Sequence, residues 1–484
     1  MEDKVLEFEH ISFKYNEEEE FILKDVNLHL SSGEFVLLAG SSGGGKSTFL
    51  KCCNGSIPNS EKGIKQGTVK IYSEDIKEKK TSEISKQVGT VLQNADEQII
   101  FEKVEDELAF PCENLHYKID KIEKIIKEKS EFMNISLEDD TSTLSGGEKQ
   151  SLITASTLCM EQRILILDEP LANLDYKASI KLLENLKYLC AKKNYTIIFI
   201  EHRLDLVLPY SDRVLWLENS EIKDFRNVAD FSAFWKKKKE KIEGLVENNI
   251  LNKVEKAEIR DSIKLLELRD LSFKVKEKTI LKNINIDINK SDNWLIIGEN
   301  GSGKTTLLKT ISRFIKESSG DFKQNIVSNK RVGKQEWYKK VGIVFQNPNY
   351  QLYMPTVEQE IETSAKNKNL SQKVMKLFDL EKLKNKHPYS LSEGQKRKVG
   401  IASILAMDPE VLLLDEPTVG QDYEGLLMLI KALEELGYKN KTIITITHDV
   451  RIAHLLGNKI LWIKDGKVYK KGGIEILEEY NKKE

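Results

Sequence analysis

The sequence predicts an α/β protein of two tandem domains, each built around a mainly parallel sheet. Three observations carry that expectation. The chain repeats itself once at domain scale, each copy contains short continuous apolar runs of strand length, and each places a glycine-rich loop between such a run and a helical pattern. A length of 484 residues exceeds what one hydrophobic core usually serves, in keeping with the duplication.

GSSGGGKST at 40–48 returns as GENGSGKTT at 298–306, and VLQNADEQII at 91–100 as VFQNPNYQLY at 344–353. LSGGEKQ at 144–150 returns as LSEGQKR at 391–397, ILILDEP at 164–170 as VLLLDEP at 411–417, and IFIEHR at 198–203 as ITITHD at 444–449. The order is preserved, and Lys46 to Lys304, Gln93 to Gln346, Asp168 to Asp415 and His202 to His448 are each separated by about 250 residues. A period of that size is a domain, not a solenoid unit.

In chain order, apolar runs at Phe35–Ala39 and Trp294–Ile297 lead into the glycine-rich loops, and helical patterns follow at Ser47–Cys52 and Thr305–Ile311. The charged segments 118–131 and 371–384 show i/i+3/i+4 spacing and read as helices. The runs at 164–167 and 411–414 are apolar throughout, as strands buried on both faces of a parallel sheet require, and TIIFI at 196–200 and TIITI at 442–446 read the same way. The expected division is a first domain over 1–231, a charged linker over 232–262 and a second domain over 263–484. The linker is helix-prone and carries the block Lys236–Lys239; it reads as a solvated tether, with a partner-docking surface as the sharper alternative.

Composition narrows the class. The chain is 40% hydrophobic and 31% charged, as for a soluble globular protein, and 75 basic against 77 acidic residues give no sign of nucleic-acid binding. Cys52, Cys53, Cys112, Cys159 and Cys190 form no metal-ligand spacing and read as reduced structural thiols of a cytosolic protein. The start MEDKVLEFEH lacks the apolar run of a signal peptide, and no stretch approaches the roughly 18–20 apolar residues of a spanning helix. Any membrane role is therefore expected to run through partners.

The chemistry lies in the repeated motifs. Gly40-x4-Gly45-Lys46-Ser47 and Gly298-x4-Gly303-Lys304-Thr305 match the phosphate-binding loop of P-loop NTPases, in which backbone N–H groups and a helix N-terminus cradle phosphate. The cradles comprise Gly40, Ser41, Ser42, Gly43, Gly44, Gly45, Lys46, Ser47 and Thr48, and Gly298, Glu299, Asn300, Gly301, Ser302, Gly303, Lys304, Thr305 and Thr306. Lys46 and Lys304 are expected to reach the β- and γ-phosphates, and Ser47 and Thr305 to hold Mg²⁺. Asp168 and Asp415, ending apolar strands, suit the same metal, and the following Glu169 and Glu416 suit the general base that polarises water. His202 and His448 follow Glu169 and Glu416 by 33 and 32 residues, each directly after an apolar strand, a matched position that argues for γ-phosphate contact.

Taken together, these motifs, with LSGGEKQ and LSEGQKR lying between phosphate loop and acidic strand, resemble the ATP-binding-cassette (ABC) ATPases over nearly all of residues 4–225 and 264–470. The resemblance implies in each copy a mainly parallel core sheet, an antiparallel β subdomain and a helical subdomain. It also implies two ATP molecules and Mg²⁺, held between cassettes paired head to tail; the short linker favours pairing within one chain over pairing between two. Ser145 and Gly147 would then cap the nucleotide on Lys304, and Ser392 and Gly394 the one on Lys46. Gln93 and Gln346 match the family glutamine that senses Mg²⁺ and the attacking water, Asp175 and Asp422 the loop between the sites, and Tyr15 the aromatic that stacks on adenine. The second copy has Val275 at the aligned position, with Phe273 nearby, so weaker nucleotide binding is expected there; no catalytic residue is missing from either copy. Glu393 replaces the first signature glycine while keeping its N–H.

The segments after the glutamines, 93–115 and 346–370, further resemble the ATPases of energy-coupling-factor (ECF) importers, where this stretch forms the groove for coupling helices of a membrane subunit. Such importers move vitamins, vitamin precursors, or cobalt and nickel ions, with a separate membrane component binding the substrate. The implied protein is an ATPase coupled to transport, peripheral on the cytoplasmic face of the cell membrane. Two alternatives share the architecture. A ribosome-associated translation factor with two fused cassettes would carry a longer, basic inter-cassette segment, and a sugar-type importer with duplicated cassettes tends to have one degenerate site.

Overall fold

The computed structural model describes residues 3–172, 174–247, 263–326, 334–447 and 457–483, and divides into two compact units, Met1–Glu240 and Lys241–Glu484. In the first unit a six-stranded sheet runs in the order Glu221–Phe225, Arg213–Glu218, Phe35–Gly40, Thr196–Ile200, Ile164–Asp168, Val88–Val91. All neighbours pair parallel except the edge hairpin of Arg213–Glu218 and Glu221–Phe225. Phe35–Gly40, Ile164–Leu167 and Thr196–Ile200 are buried throughout, which is why their sequences are apolar without alternation.

An antiparallel sheet places Lys4–Lys14 between Leu23–Ser31 and Ile64–Ile71. Its inward residues, among them Phe8, Ile11 and Phe13, share a core with Val36, Leu38 and Phe49 beside the phosphate loop. On the other face of the six-stranded sheet, helices Val104–Asn114, Ile119–Met133 and Gly146–Cys159 join the core of Phe35, Leu37, Leu167 and Phe199. Cys52, Cys53, Cys112, Cys159 and Cys190 are all buried and form no disulfide.

The second unit repeats this plan. Its six-stranded sheet runs Val341–Val344, Val411–Asp415, Thr442–Ile446, Asn293–Ile297, Lys459–Lys464, Lys467–Gly472, and its antiparallel sheet sets Lys264–Val275 between Lys278–Asn289 and Ser319–Gln324. Helices Val357–Ser364, Lys368–Leu377 and Glu393–Ala406 correspond to the three above. Lys368–Leu377 is shorter than the helical reading of 371–384: Phe378 and Leu380 turn into the core, with Asp379 between them at φ 53°.

The stretch read as a tether begins inside the helix Val228–Glu247. Phe231 is fully buried, and Phe231, Phe234 and Trp235 ring Trp216, with Phe225 completing the cluster. At the end of the second unit the helix Glu475–Lys483 sets Tyr480 against Trp462, the counterpart of Trp216. The remainder of the linker, 248–262, lies outside the described residues.

Candidate functional site

Each phosphate loop is built by a buried strand delivering the chain to a glycine that only a bare backbone permits. Gly40 has φ 150° and Gly298 φ 146°, and a Cβ at either would run into the carbonyl of Leu217 or Ile463 on the neighbouring strand. Gly45 and Gly303, both at φ 103°, precede helices Lys46–Cys53 and Lys304–Ile311 without any side-chain cap. The first-turn N–H groups are thus left for an anion, which the helix dipole also favours. Lys46 Nζ folds back on the carbonyls of Gly40 at 3.1 Å and Ser41 at 2.9 Å, and Lys304 Nζ on those of Gly298 at 2.7 Å and Glu299 at 2.9 Å. Both ammonium groups are buried in the same pose.

The acidic pairs stand beside these loops. Glu169 and Glu416 take φ 46° and 48°, and each donates its N–H to the adjacent strand, to Ile200 and Ile446 at 2.9 Å. This left-handed turn is uncommon for a side-chain-bearing residue and recurs at the same place in both copies. Gln93 Nε2 donates to Glu169 Oε2 at 2.6 Å, and His202 Nε2 lies 3.1 Å from Glu169 Oε1. Two residues singled out in sequence therefore converge on the carboxylate of a third. In the second copy Thr305 Oγ1 donates to Asp415 Oδ1 at 3.2 Å, bringing together two of the oxygens proposed for a metal. His448 lies outside the described residues.

Burial dominates the electrostatics of the aspartates. It pushes the Asp168 carboxyl up to about 7, with Glu169 adding to the rise and Lys46 and His202 opposing it. Asp415 is pushed up to about 6 by burial and Glu416, moderated by its bond from Thr305 and by Lys309 and Lys304. Such sites take a cation readily, because a bound cation stabilises the charge that burial penalises.

Ser145 and Ser392 cap helices Gly146–Cys159 and Glu393–Ala406: Ser145 Oγ accepts from the Glu148 N–H at 3.3 Å, and Ser392 Oγ from that of Gln395 at 3.4 Å. Glu148 and Gln395 return the bond to the serine N–H, completing capping boxes. Capping uses a lone pair and leaves each hydroxyl proton free to donate to an anion. Gly147 and Gly394 sit in the first turn of these helices. Asp175 and Asp422 cap the helices Tyr176–Lys193 and Tyr423–Glu435.

Tyr15 lies against the phosphate-loop helix, its hydroxyl 3.3 Å from Thr48 Oγ1. Phe273 packs against the second unit's core at the position Phe13 occupies in the first, so it does not stand in for the missing aromatic, and Val275 is 47% exposed.

The second glutamine of each post-glutamine motif closes its loop, and a buried glutamate in each copy escaped the motif reading. Gln98 Oε1 accepts from the Leu92 N–H at 2.6 Å and Gln351 Oε1 from that of Phe345 at 3.0 Å, closing the loop after each sensing glutamine. Buried Glu107 accepts from the N–H groups of Ile100 and Phe101 at 2.8 and 2.9 Å, and Glu360 from those of Tyr353 and Met354 at 2.7 Å each. Their equal spacing from Gln93 and Gln346 is the signal that could have found them.

The sequence pattern of the family described as "ABC transporter" matches residues 23–172 and 281–419. A protein of Methanosarcina mazei, provisionally named an ABC transporter ATP-binding protein, is 32% identical over 96% of this chain and 88% of its own length. A Bacillus subtilis protein, provisionally named HMP/thiamine import ATP-binding protein YkoD, is 32% identical over 96% of this chain and 90% of its own. Among solved structures, that of the RNase-L inhibitor superposes with a TM-score of 0.67 over 98% of this chain and 93% of its own. An archaeal ribosome recycling factor does so with 0.65 over 98% and 92%. At 21% identity each, these two likenesses concern the fold alone.

Proposed function

The chain belongs to the ABC transporter ATPase family and is a two-cassette enzyme that binds and hydrolyses ATP, and on that premise we propose that it powers an importer of the ECF type through separate membrane subunits. The observation that carries this reading is the loop after each sensing glutamine. In both copies a buried glutamate and a second glutamine tie that loop down from inside, while it turns large apolar groups outward: Ile100 is 67% exposed, Tyr350 65% and Tyr353 74%. Exposed apolar groups on a rigidly held loop suit a partner surface. The relative named for HMP/thiamine import supports the vitamin arm of the substrate class over the metal ions. Among the described residues no helix is long and apolar enough to cross a membrane; in this reading translocation falls to the membrane partners, and the chain works at the cytoplasmic face.

Within each cassette the lysine and the uncapped helix start would bind the phosphates. Ser47 with Asp168, and Thr305 with Asp415, would hold Mg²⁺, which neutralises phosphate charge when bound. Glu169 and Glu416 would polarise the attacking water, His202 and His448 would contact the γ-phosphate, and Gln93 and Gln346 would report on the metal and the water. The head-to-tail pairing implied by the family would bring Ser145 and Ser392 onto the nucleotide of the opposite cassette, so that closure and reopening follow the ATP cycle.

The test is affinity purification of the full chain from its native membranes. Integral membrane proteins are expected to co-purify, and Ile100→Asp with Tyr353→Asp is expected to release them while ATPase activity remains. Recovery with ribosomes in place of membrane proteins overturns the reading.

A further inference from the structure

Signature helix Glu393–Ala406 carries Arg397, a buried residue only 7% exposed. Nη1 donates to the carbonyl of Glu416 at 2.8 Å, and Nη2 to the carbonyl of Gln346 at 2.7 Å. One planar fork thus joins three segments: the helix that begins at Ser392, the loop bearing the sensing glutamine, and the turn that presents Glu416. The turn is the uncommon left-handed one, so a charged donor on its carbonyl fixes the direction in which the glutamate side chain leaves the backbone. Arg397 takes no part in the nucleotide roles assigned above.

The first cassette is built differently at this position. Gln150 replaces the arginine; it is 2% exposed, and its Nε2 has no hydrogen-bond partner. There the helix meets the glutamine loop through Lys149 Nζ and Asp96 Oδ1 at 2.6 Å, a pair whose aspartate is two-thirds exposed and therefore screened by water. The Glu169 side chain itself is held by Gln93 and His202. The cassettes thus share their motif residues and differ in what ties the signature helix to the turn of the general base.

We propose that Arg397 is a positioning residue that locks Glu416 and Gln346 in register with the Ser392 helix, and that Gln150 leaves the first cassette without this lock. In the second cassette the helix and the base move as one piece; in the first, the helix can shift without carrying the backbone of Glu169. The inference rests on the assignment of Glu416 as general base.

The experiment uses the full chain with Glu169→Gln, so that turnover reports the Lys304 site, and compares kcat and KM for ATP in added Arg397→Gln and Arg397→Lys. Arg397→Gln is expected to lower kcat roughly 10–100-fold with KM changed less than about twofold, because a displaced base slows chemistry and not binding. Arg397→Lys, able to serve one carbonyl at a time, is expected to keep an intermediate kcat, and it stands in should the glutamine variant fail to fold. Unchanged kcat in both variants overturns the proposal, as does a loss that falls on KM or merely tracks a lowered unfolding midpoint. Glu416→Gln in the same background separates the two readings. If it leaves turnover intact, the base assignment fails; if it abolishes turnover while Arg397→Gln does not lower it, the positioning role alone fails.

Discussion

His202 holds Nε2 3.1 Å from Oε1 of Glu169, while Gln93 donates to the other oxygen, Oε2, at 2.6 Å. Both carboxylate oxygens are engaged on one side chain that leaves the backbone through a left-handed turn. With Glu416→Gln silencing the second site, Glu169→Gln is expected to reduce the remaining ATPase rate by roughly 10²–10⁴-fold, the range for a positioned general base. His202→Ala is expected to cost less, roughly 10–100-fold, because Gln93 still holds one oxygen. Steady-state phosphate release measures both; a Glu169→Gln variant at full rate removes the glutamate from the chemistry.

The raised aspartates predict a pH dependence of stability in the nucleotide-free, metal-free protein. Asp168 moves from 3.8 to about 7, so between these values the folded state binds the proton more tightly than the unfolded chain. Stability from this group is fully present below pH 3.8 and is lost as the pH rises through 7. Asp168→Asn removes the buried charge, so it is expected to melt higher than wild type at pH 8, with the gain shrinking toward pH 5. Asp415→Asn should follow the same sign over the narrower window up to about 6. Mg²⁺ with nucleotide is expected to reverse the order, since the variants lose the charge that holds the cation. Thermal melts at several pH values, with and without Mg²⁺-ATP, check both statements.

Much of the site was legible because phosphate chemistry demands particular residues at fixed spacing. Lys46, Ser47, Asp168 and Glu169 could be placed from the loop and the strand end alone, and their second-copy partners followed by the repeat. What escaped depends on one side chain reaching across the fold. Arg397 and Gln150 differ by a single letter in otherwise matching motifs, and no spacing rule tells that one grips two carbonyls and the other none. Glu107 and Glu360 read as ordinary members of acidic helices, yet their carboxylates point inward to close a loop. Phe231, Phe234 and Trp235 were masked by the lysine run that follows them, although their rings pack on Trp216.

The adenine-side asymmetry has a direct test. Tyr15 is held against the phosphate-loop helix by its contact with Thr48, whereas Val275 is about half exposed and Phe273 is committed to the core. Base–aromatic stacking is worth roughly 1–3 kcal/mol in nucleic-acid complexes, so the Lys304 site is expected to bind ATP about 5–150-fold more weakly than the Lys46 site. Titration of Lys46→Ala and Lys304→Ala variants reads each site separately. Val275→Tyr should narrow the difference, with little effect on folding because the position is open to solvent. Equal affinities in the two lysine variants would remove stacking as the source of asymmetry.

The inward glutamates offer a prediction that separates charge from geometry. Both N–H groups at the loop of the first cassette, those of Ile100 and Phe101, go to the same oxygen of Glu107, and Glu360 repeats this with Tyr353 and Met354. Truncating Glu107 to alanine leaves two amides without an acceptor and opens a void in the helix–loop packing, so it should destabilise the fold by about 2–4 kcal/mol. Glu107→Gln keeps one carbonyl oxygen at the right place and should cost about 1 kcal/mol, the difference between a charged and a neutral acceptor. Urea unfolding midpoints measure both. If the glutamine variant falls as far as the alanine variant, the negative charge, and not the shared acceptor, is what holds the loop that presents Ile100; the same comparison at Glu360 then shows whether the rule extends to the loop that presents Tyr353.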